Sequence, residues 1–257
     1  MSETPPEVSL FDANCALGMV AQPGPAGAFL AADELLEHQA RYGITRALSY
    51  HSLALEEHPA TGNAKLLSAI EGHEALLPSW IALPHHTGEF PEPATLLSEA
   101  RSAGVRALRL FPDAQRYPVD DWMLGDFFAA VAGQVPLFWH IDRLNTPTAR
   151  DIYRVCTEYP QLQVVVCDVE KSIPRIITPL LRRLPNLWLE TGGFRTYRGI
   201  EFIAEAVGSE RLIFGTRLPW QSAGGPHAEL LYARLEPAVR AQIGSDNLDR
   251  LLETAAW

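Results

Sequence analysis

Residues 135–169 read VPLFWHIDRLNTPTARDIYRVCTEYPQLQVVVCDV. An apolar run at 135–141 gives way to an amphipathic stretch at 148–160, and then to a second apolar run at 162–169. Continuous rather than alternating apolar runs mark strands covered on both faces, and a helical crossover between two such strands makes them parallel. The same unit recurs in both directions. VSLFDAN (8–14), ITRALSY (44–50), LLPSWIAL (76–83) and VRALRLF (105–111) precede it, and LWLET (187–191) and RLIFGT (211–216) follow, which makes eight candidate strands. Between them lie helical patterns such as ADELLEHQARYG and PATLLSEARSAG, whose closing glycines, Gly43 and Gly104, are the expected helix stops.

Eight strand–helix units in 257 residues predict a single α/β domain, a (β/α)8 barrel spanning residues 1–257. No glycine-rich dinucleotide fingerprint follows the first strand, which argues against an open doubly wound sheet. The longest irregular pieces are expected at 16–27 (ALGMVAQPGPAG) and 51–63 (HSLALEEHPATGN), on the side where such barrels build sites. The tail, GSDNLDRLLETAAW, reads as a capped final helix.

The formal charge is −10, from 31 acidic against 21 basic residues, and Lys65 and Lys171 are the only lysines. An acidic surface argues against nucleic-acid and anionic-membrane partners. The start, MSETPPEVSLFD, has neither the basic nor the apolar region of a signal peptide, and the three cysteines lack CxxC spacing. A cytoplasmic setting is expected. Homo-oligomerisation stays open.

The pieces FDANCALG, GVRALRLFP, VPLFWHI, LQVVVCD, PNLWLETGG, ERLIFGTRLPW and GSDNLDRLL, in this order, resemble the amidohydrolase-related family of metal-dependent (β/α)8 hydrolases and decarboxylases. That resemblance implies a metal held by a His-x-His on the first strand, by histidines on strands five and six, and by an aspartate on strand eight. These positions fall here on Asn14 and Ala16, His140, Asp168 and Arg217. The lysine that bridges two ions in binuclear relatives has no counterpart in VRALRLF. Only His140 is kept, and arginine neither ligates an ion nor accepts a proton. No cofactor is therefore expected, with zinc or manganese as the departure from that reading.

His140, Asp168 and Arg217 are the candidate catalytic residues, the first two for proton transfer and Arg217 for an oxyanion or an anionic substrate. Asn14, Arg195, Glu190, Trp220 and His51 are candidate substrate contacts. The opposing reading pairs Arg217 with Asp168 or Asp12 as an internal cross-link in the space of an ion. Gly192, Gly193, Gly224, Gly225, Arg195 and Arg198 suit either an anion pocket or ordinary turns. His85 and His86 join His51 near the strand ends. Trp139 is read as packing, and Cys15 and Cys167 as facing the helices. The leading expectation is a degenerate metal centre with metal-independent hydrolysis of a small, anionic ester, lactone or amide. The alternatives are a non-catalytic binding or assembly barrel and a mononuclear metal-dependent hydrolase or decarboxylase with atypical ligands.

Overall fold

The structure is a computed structural model that describes residues 9–169 and 174–257. Val8, the first residue of the first expected strand, lies outside the described residues. Eight parallel strands follow one another around a barrel in sequence order. They are β1 (Leu10–Leu17), β2 (Ile44–His51), β3 (Leu76–Ile81), β4 (Ala107–Leu110), β5 (Leu137–His140), β6 (Val164–Cys167), β7 (Leu187–Glu190) and β8 (Leu212–Ile213). The sequence of β8 is strand-like well past Ile213, but its backbone turns to β1. Ala13 N–H donates to Phe214 O (3.0 Å), Ala16 N–H to Leu218 O (2.9 Å), and Arg217 N–H to Asn14 O (2.8 Å), closing the barrel.

The helices between strands are α1 (Ala32–Ala40), α2 (Ser52–Glu56), α3 (Pro59–Ala69), α4 (Pro93–Ser102), α5 (Pro112–Gln115), α6 (Asp121–Val131), α7 (Thr146–Glu158), α8 (Pro174–Arg183) and α9 (Gly199–Val207). After β8 come α10 (Gly224–Leu231), α11 (Pro237–Ala241) and α12 (Asn247–Leu252). Gly43 and Gly104 do stop helices, at φ 67° and 69°. Two expectations need correction. Within residues 51–63, 52–56 and 59–63 are helical rather than irregular, because histidines serve as caps. His51 Nδ1 accepts from Leu53 N–H and His58 Nδ1 from Ala60 N–H, each at 3.2 Å, with Pro59 opening α3. The C-terminal helix begins earlier than GSDN suggests, since α11 runs through a π-helical turn (Gln242–Asp246) into α12.

Side chains divide by strand parity. Leu108, Trp139, Val164, Val166, Leu189 and Cys15 point out and pack beneath the helices. Phe11, Ala13, Leu48, Ala107, Phe138, Val165, Cys167 and Ile213 fill the lumen. Cys167 therefore faces inward with Val165, not toward the helices as expected. Asp168 just beyond it adopts φ 64°, which breaks the alternation from which its parity was counted. Leu248, Leu251 and Leu252 of α12 join the lumen cluster, and nearby Asp249 pairs with Arg46 of β2 at 2.5 Å. At the other end, Ala16, Tyr50, Ala54, Ile81 and Phe111 form a separate cluster around the mouth. Among the described residues no helix is long and apolar enough to cross a membrane.

Candidate active site

The polar groups of the lumen gather where the strands end. His140 closes β5 with its side chain inward and 3% exposed. Its Nδ1 lies 2.7 Å from Asp168 Oδ2, and its Nε2 lies 3.0 Å from Arg109 Nη1. Phe111 stacks on the ring at 3.9 Å, with the planes 13° apart. Asp168 Oδ1 accepts from Arg217 Nε at 2.8 Å and from Asn14 Nδ2 at 3.0 Å. The same Asn14 amide reaches Glu190 Oε2 at 3.2 Å, so one neutral donor separates two buried carboxyl groups. An irregularity in β1 between Asp12 and Cys15 turns Asn14 into this position. Arg217 also has a left-handed backbone, φ 57°, just before the cis Leu218–Pro219 bond.

Arg217 thus pairs with Asp168, as the cross-link reading expects. Asp12 is engaged elsewhere. It accepts from the Asn14 and Thr216 backbone N–H groups (3.0 and 2.9 Å), from the Thr216 hydroxyl (2.5 Å) and from Gln39 Nε2 (2.9 Å). Burial pushes Asp12 up to about 6, and these donors pull against it. Burial also pushes Glu190 up to about 7, reinforced by the Asp168 charge and opposed by the Gly192 N–H and Asn14. His140 moves the other way, down to about 4, because burial disfavours the imidazolium and Arg109 and Arg217 repel it, against the pull of Asp168. Burial alone would raise Asp168, yet the His140 N–H, Arg217 and Asn14 together hold it below the usual carboxylate range. The core of the site at neutral pH is an ionised Asp168 beside a neutral His140, with Glu190 poised to exchange a proton.

The sequence reading passed over Arg109. It lies on β4 at inward parity with Ala107, is 0% exposed, and its guanidinium sits 4.8 and 4.9 Å from the Tyr50 and Phe138 ring centroids. The available signal was a fixed charge on the lumen face of a strand otherwise made of Ala and Leu. Thr216, Ser79, Gln39 and Gln221 were also missed, for they are ordinary polar residues until the fold places them.

The remaining candidates spread out. Glu190 is 0% exposed, within the cluster. Trp220 stacks on Tyr50 at 6.0 Å and 13°, forming a ring platform at the mouth. His51 is buried and spends its Nδ1 on capping α2. His85 and His86 lie against each other at 4.2 Å, and His86 Nε2 meets Met123 O of α6. Arg195 is exposed and donates to Gln221 Oε1 at 2.5 Å, while Gln221 Nε2 donates to Gly192 O and Thr216 O. Arg195, Arg198 and Arg234 line a cavity of about 400 Å³ between α9 and α10, outside the lumen cluster. Gly192 and Gly215 are required by close approach, since a Cβ on either would meet Glu190 Oε1 at 2.5 or 2.2 Å.

Among the described residues no group of three or more His, Cys, Asp or Glu side chains could hold a metal ion. The donor set gives the reason. The lone pair of His140 faces a guanidinium, Asp168 is claimed by three N–H donors, Asn14 turns its nitrogen inward, and Arg217 adds a fixed positive charge.

Residues 54–253 match the family model described as Amidohydrolase. A search of curated proteins finds no match. An uncharacterised TIM-barrel protein of Bordetella bronchiseptica superposes with a TM-score of 0.78 at 18% identity, over 96% of this chain and 99% of that one. A 2,6-dihydroxybenzoate decarboxylase complexed with 2,6-dihydroxybenzoate gives 0.73 at 14% identity, over 96% and 98%. A 5-carboxyvanillate decarboxylase of Novosphingobium aromaticivorans, complexed with manganese and 4-hydroxy-3-methoxy-5-nitrobenzoic acid, gives 0.76 at 13%, over 96% of each chain. At these identities the likeness is one of fold.

Proposed function

The chain belongs to the amidohydrolase family, and from that premise we propose that it is a metal-independent member acting in the cytoplasm. Its mouth takes a small carboxylate-bearing molecule and hydrolyses an activated ester, lactone or amide within it. The observation that carries this reading is the continuous run Arg109–His140–Asp168–Arg217, in which guanidinium groups stand on either side of the His–Asp pair. The residues present do not fit a divalent ion, and no step is assigned to one.

The roles follow from the geometry. Arg217, with 28% of its side chain exposed, is the most exposed member of that run and offers an electrostatic partner to a substrate carboxylate or a developing oxyanion. The Tyr50–Trp220 platform suits a planar ligand, and the ligands in the dihydroxybenzoate and carboxyvanillate decarboxylase structures are aromatic. Asp168 is the carboxylate at the mouth and would orient the attacking water and accept its proton. Being held below the ordinary carboxylate range makes it a weak base, which restricts turnover to acyl groups with good leaving groups. His140 orients Asp168 and does not carry the proton itself, because both its nitrogens are engaged.

A second reading, binding without turnover, is favoured by that same saturation of His140 and Asp168 with protein partners. One experiment separates the readings. Protein purified without chelators is titrated calorimetrically with benzoate-type carboxylates and assayed on aryl esters and lactones, beside Arg217→Ala. Hydrolysis that survives chelation and is lost with binding in Arg217→Ala is expected. Binding without hydrolysis selects the second reading. An Arg217→Ala protein that binds and turns over as wild type refutes both, and activity that follows stoichiometric manganese refutes the metal-independent assignment.

A further inference from the structure

We infer that Arg109 is the resident cation of this barrel, a positioning residue that ties four strands to β4 and fixes His140 in a single tautomer. The three nitrogens of the guanidinium reach four other strands. Nε donates to Ser79 Oγ of β3 at 2.6 Å, and Nη1 meets His140 Nε2 of β5 at 3.0 Å. Nη2 donates to Ala13 O of β1 at 2.8 Å and to Leu48 O of β2 at 2.9 Å. Ser79 accepts from Arg109 while its own hydroxyl donates to Ser49 O at 2.8 Å, which leaves its role unambiguous. The packing rings, Tyr50 and Phe138, offer their faces to the charge.

A buried guanidinium is costly without a counter-charge. Among the described residues no carboxylate pairs with Arg109 directly, and the counter-charge reaches it through the imidazole. Guanidinium only donates, so His140 Nε2 must accept. The ring proton then sits on Nδ1 and points at Asp168 Oδ2, an ionised oxygen that only accepts, 2.7 Å away. Both ends of the ring therefore specify the same tautomer. An imidazolium would set an N–H against the guanidinium N–H groups. Arg109 thus joins strands and orients a neighbouring donor as a bound cation does, with hydrogen bonds in place of coordination bonds. The assignment does not depend on which molecule the mouth accepts.

Nitrogen-15 NMR of the histidine side chains tests it. In the wild-type protein His140 is expected to show a protonated Nδ1 and an unprotonated Nε2 from pH 5 to 8, without titrating. In Arg109→Met the Nε2 donor is gone while Asp168 still holds the proton on Nδ1, so the ring is expected to gain a second proton at Nε2 with an apparent pKa at least one pH unit higher, a tenfold change. A protonated Nε2 in the wild type, or an unchanged imidazole in Arg109→Met, overturns the inference. Should Arg109→Met fail to fold, Arg109→Lys carries the same test. It is expected to keep Nδ1–H, and an Nε2–H ring there overturns the inference. Carboxylate binding is measured in parallel, so that a raised His140 pKa with intact binding supports this assignment separately from the proposed function.

Discussion

Replacing Glu190 by glutamine is expected to change how stability depends on pH more than stability at any one pH. Glu190 is fully buried, between Asn14 and the Gly192 N–H, and holds its proton up to about pH 7 in the folded state against 4.5 ordinarily. Between those values the folded state binds more protons than the unfolded chain, so this carboxyl contributes stability that is complete below pH 4.5 and is lost as pH rises through 7. At about 1.4 kcal/mol per pH unit the loss is about 3 kcal/mol. In Glu190→Gln neither state titrates at this position, and the loss disappears. Glutamine also sets an amide N–H against one side of the three existing donors, Asn14 Nδ2 and the Gly192 and Asp168 N–H groups, but that cost is independent of pH. Asp12, shifted in the same direction, is present in both proteins and its contribution largely cancels, since its charge is the smallest of the causes acting on Glu190. Urea unfolding of the two proteins at pH 4.5, 5.5, 6.5 and 7.5 gives the difference directly. The variant should gain on the wild type by about 3 kcal/mol across the series. A difference that stays constant to within about 1 kcal/mol refutes the assignment of Glu190 as a buried group that stays protonated to neutrality.

Other perturbations have equally definite outcomes. Thr216→Val removes the hydroxyl donor of Asp12 and an acceptor for Leu218 N–H, and should cost about 2 kcal/mol in urea unfolding. The cost should be larger at pH 8 than at pH 5, because the lost donor favours ionised Asp12. Gly192→Ala would place a Cβ 2.4 Å from Gly215 O and 2.5 Å from Glu190 Oε1, and should destabilise by about 2–3 kcal/mol by the same assay. Dialysis against a chelator, followed by added manganese, should leave the unfolding midpoint where it was. A saturable rise would contradict the argument from the donor set.

The architecture was legible because each unit repeats one local signal, a continuous apolar run followed by an amphipathic helix and a glycine stop. The pairing of Arg217 with Asp168 was legible too, as one of two named possibilities. Two kinds of feature were not. His51 and His58 act as helix caps, a role usually filled by Ser, Thr, Asp or Asn, and they turned an expected irregular segment into α2 and α3. The facing of Cys167 was misjudged because the left-handed turn at Asp168 interrupts the two-residue alternation, and a side chain does not announce that turn. Arg109 combines both difficulties. Its strand was recognised, but the importance of its charge depends on acceptors from β1, β2, β3 and β5, which only the closed barrel assembles.

The brevity of β8 bears on how the chain reaches its folded state. The seam between the last strand and β1 joins Asp12 to Thr216, 204 residues apart, and the neighbouring backbone bonds span similar separations. Contacts of such high sequence separation carry a large loop-closure entropy and slow folding. A chain emerging from synthesis with its N-terminus first holds β1 as an open edge until residues 214–218 arrive. The irregularity at Asp12–Cys15 distorts that edge and makes it a poor template for a second chain during the wait. Arg217 is carried on the segment that shuts the seam, so the charge balance at the mouth is completed in the same event that closes the barrel.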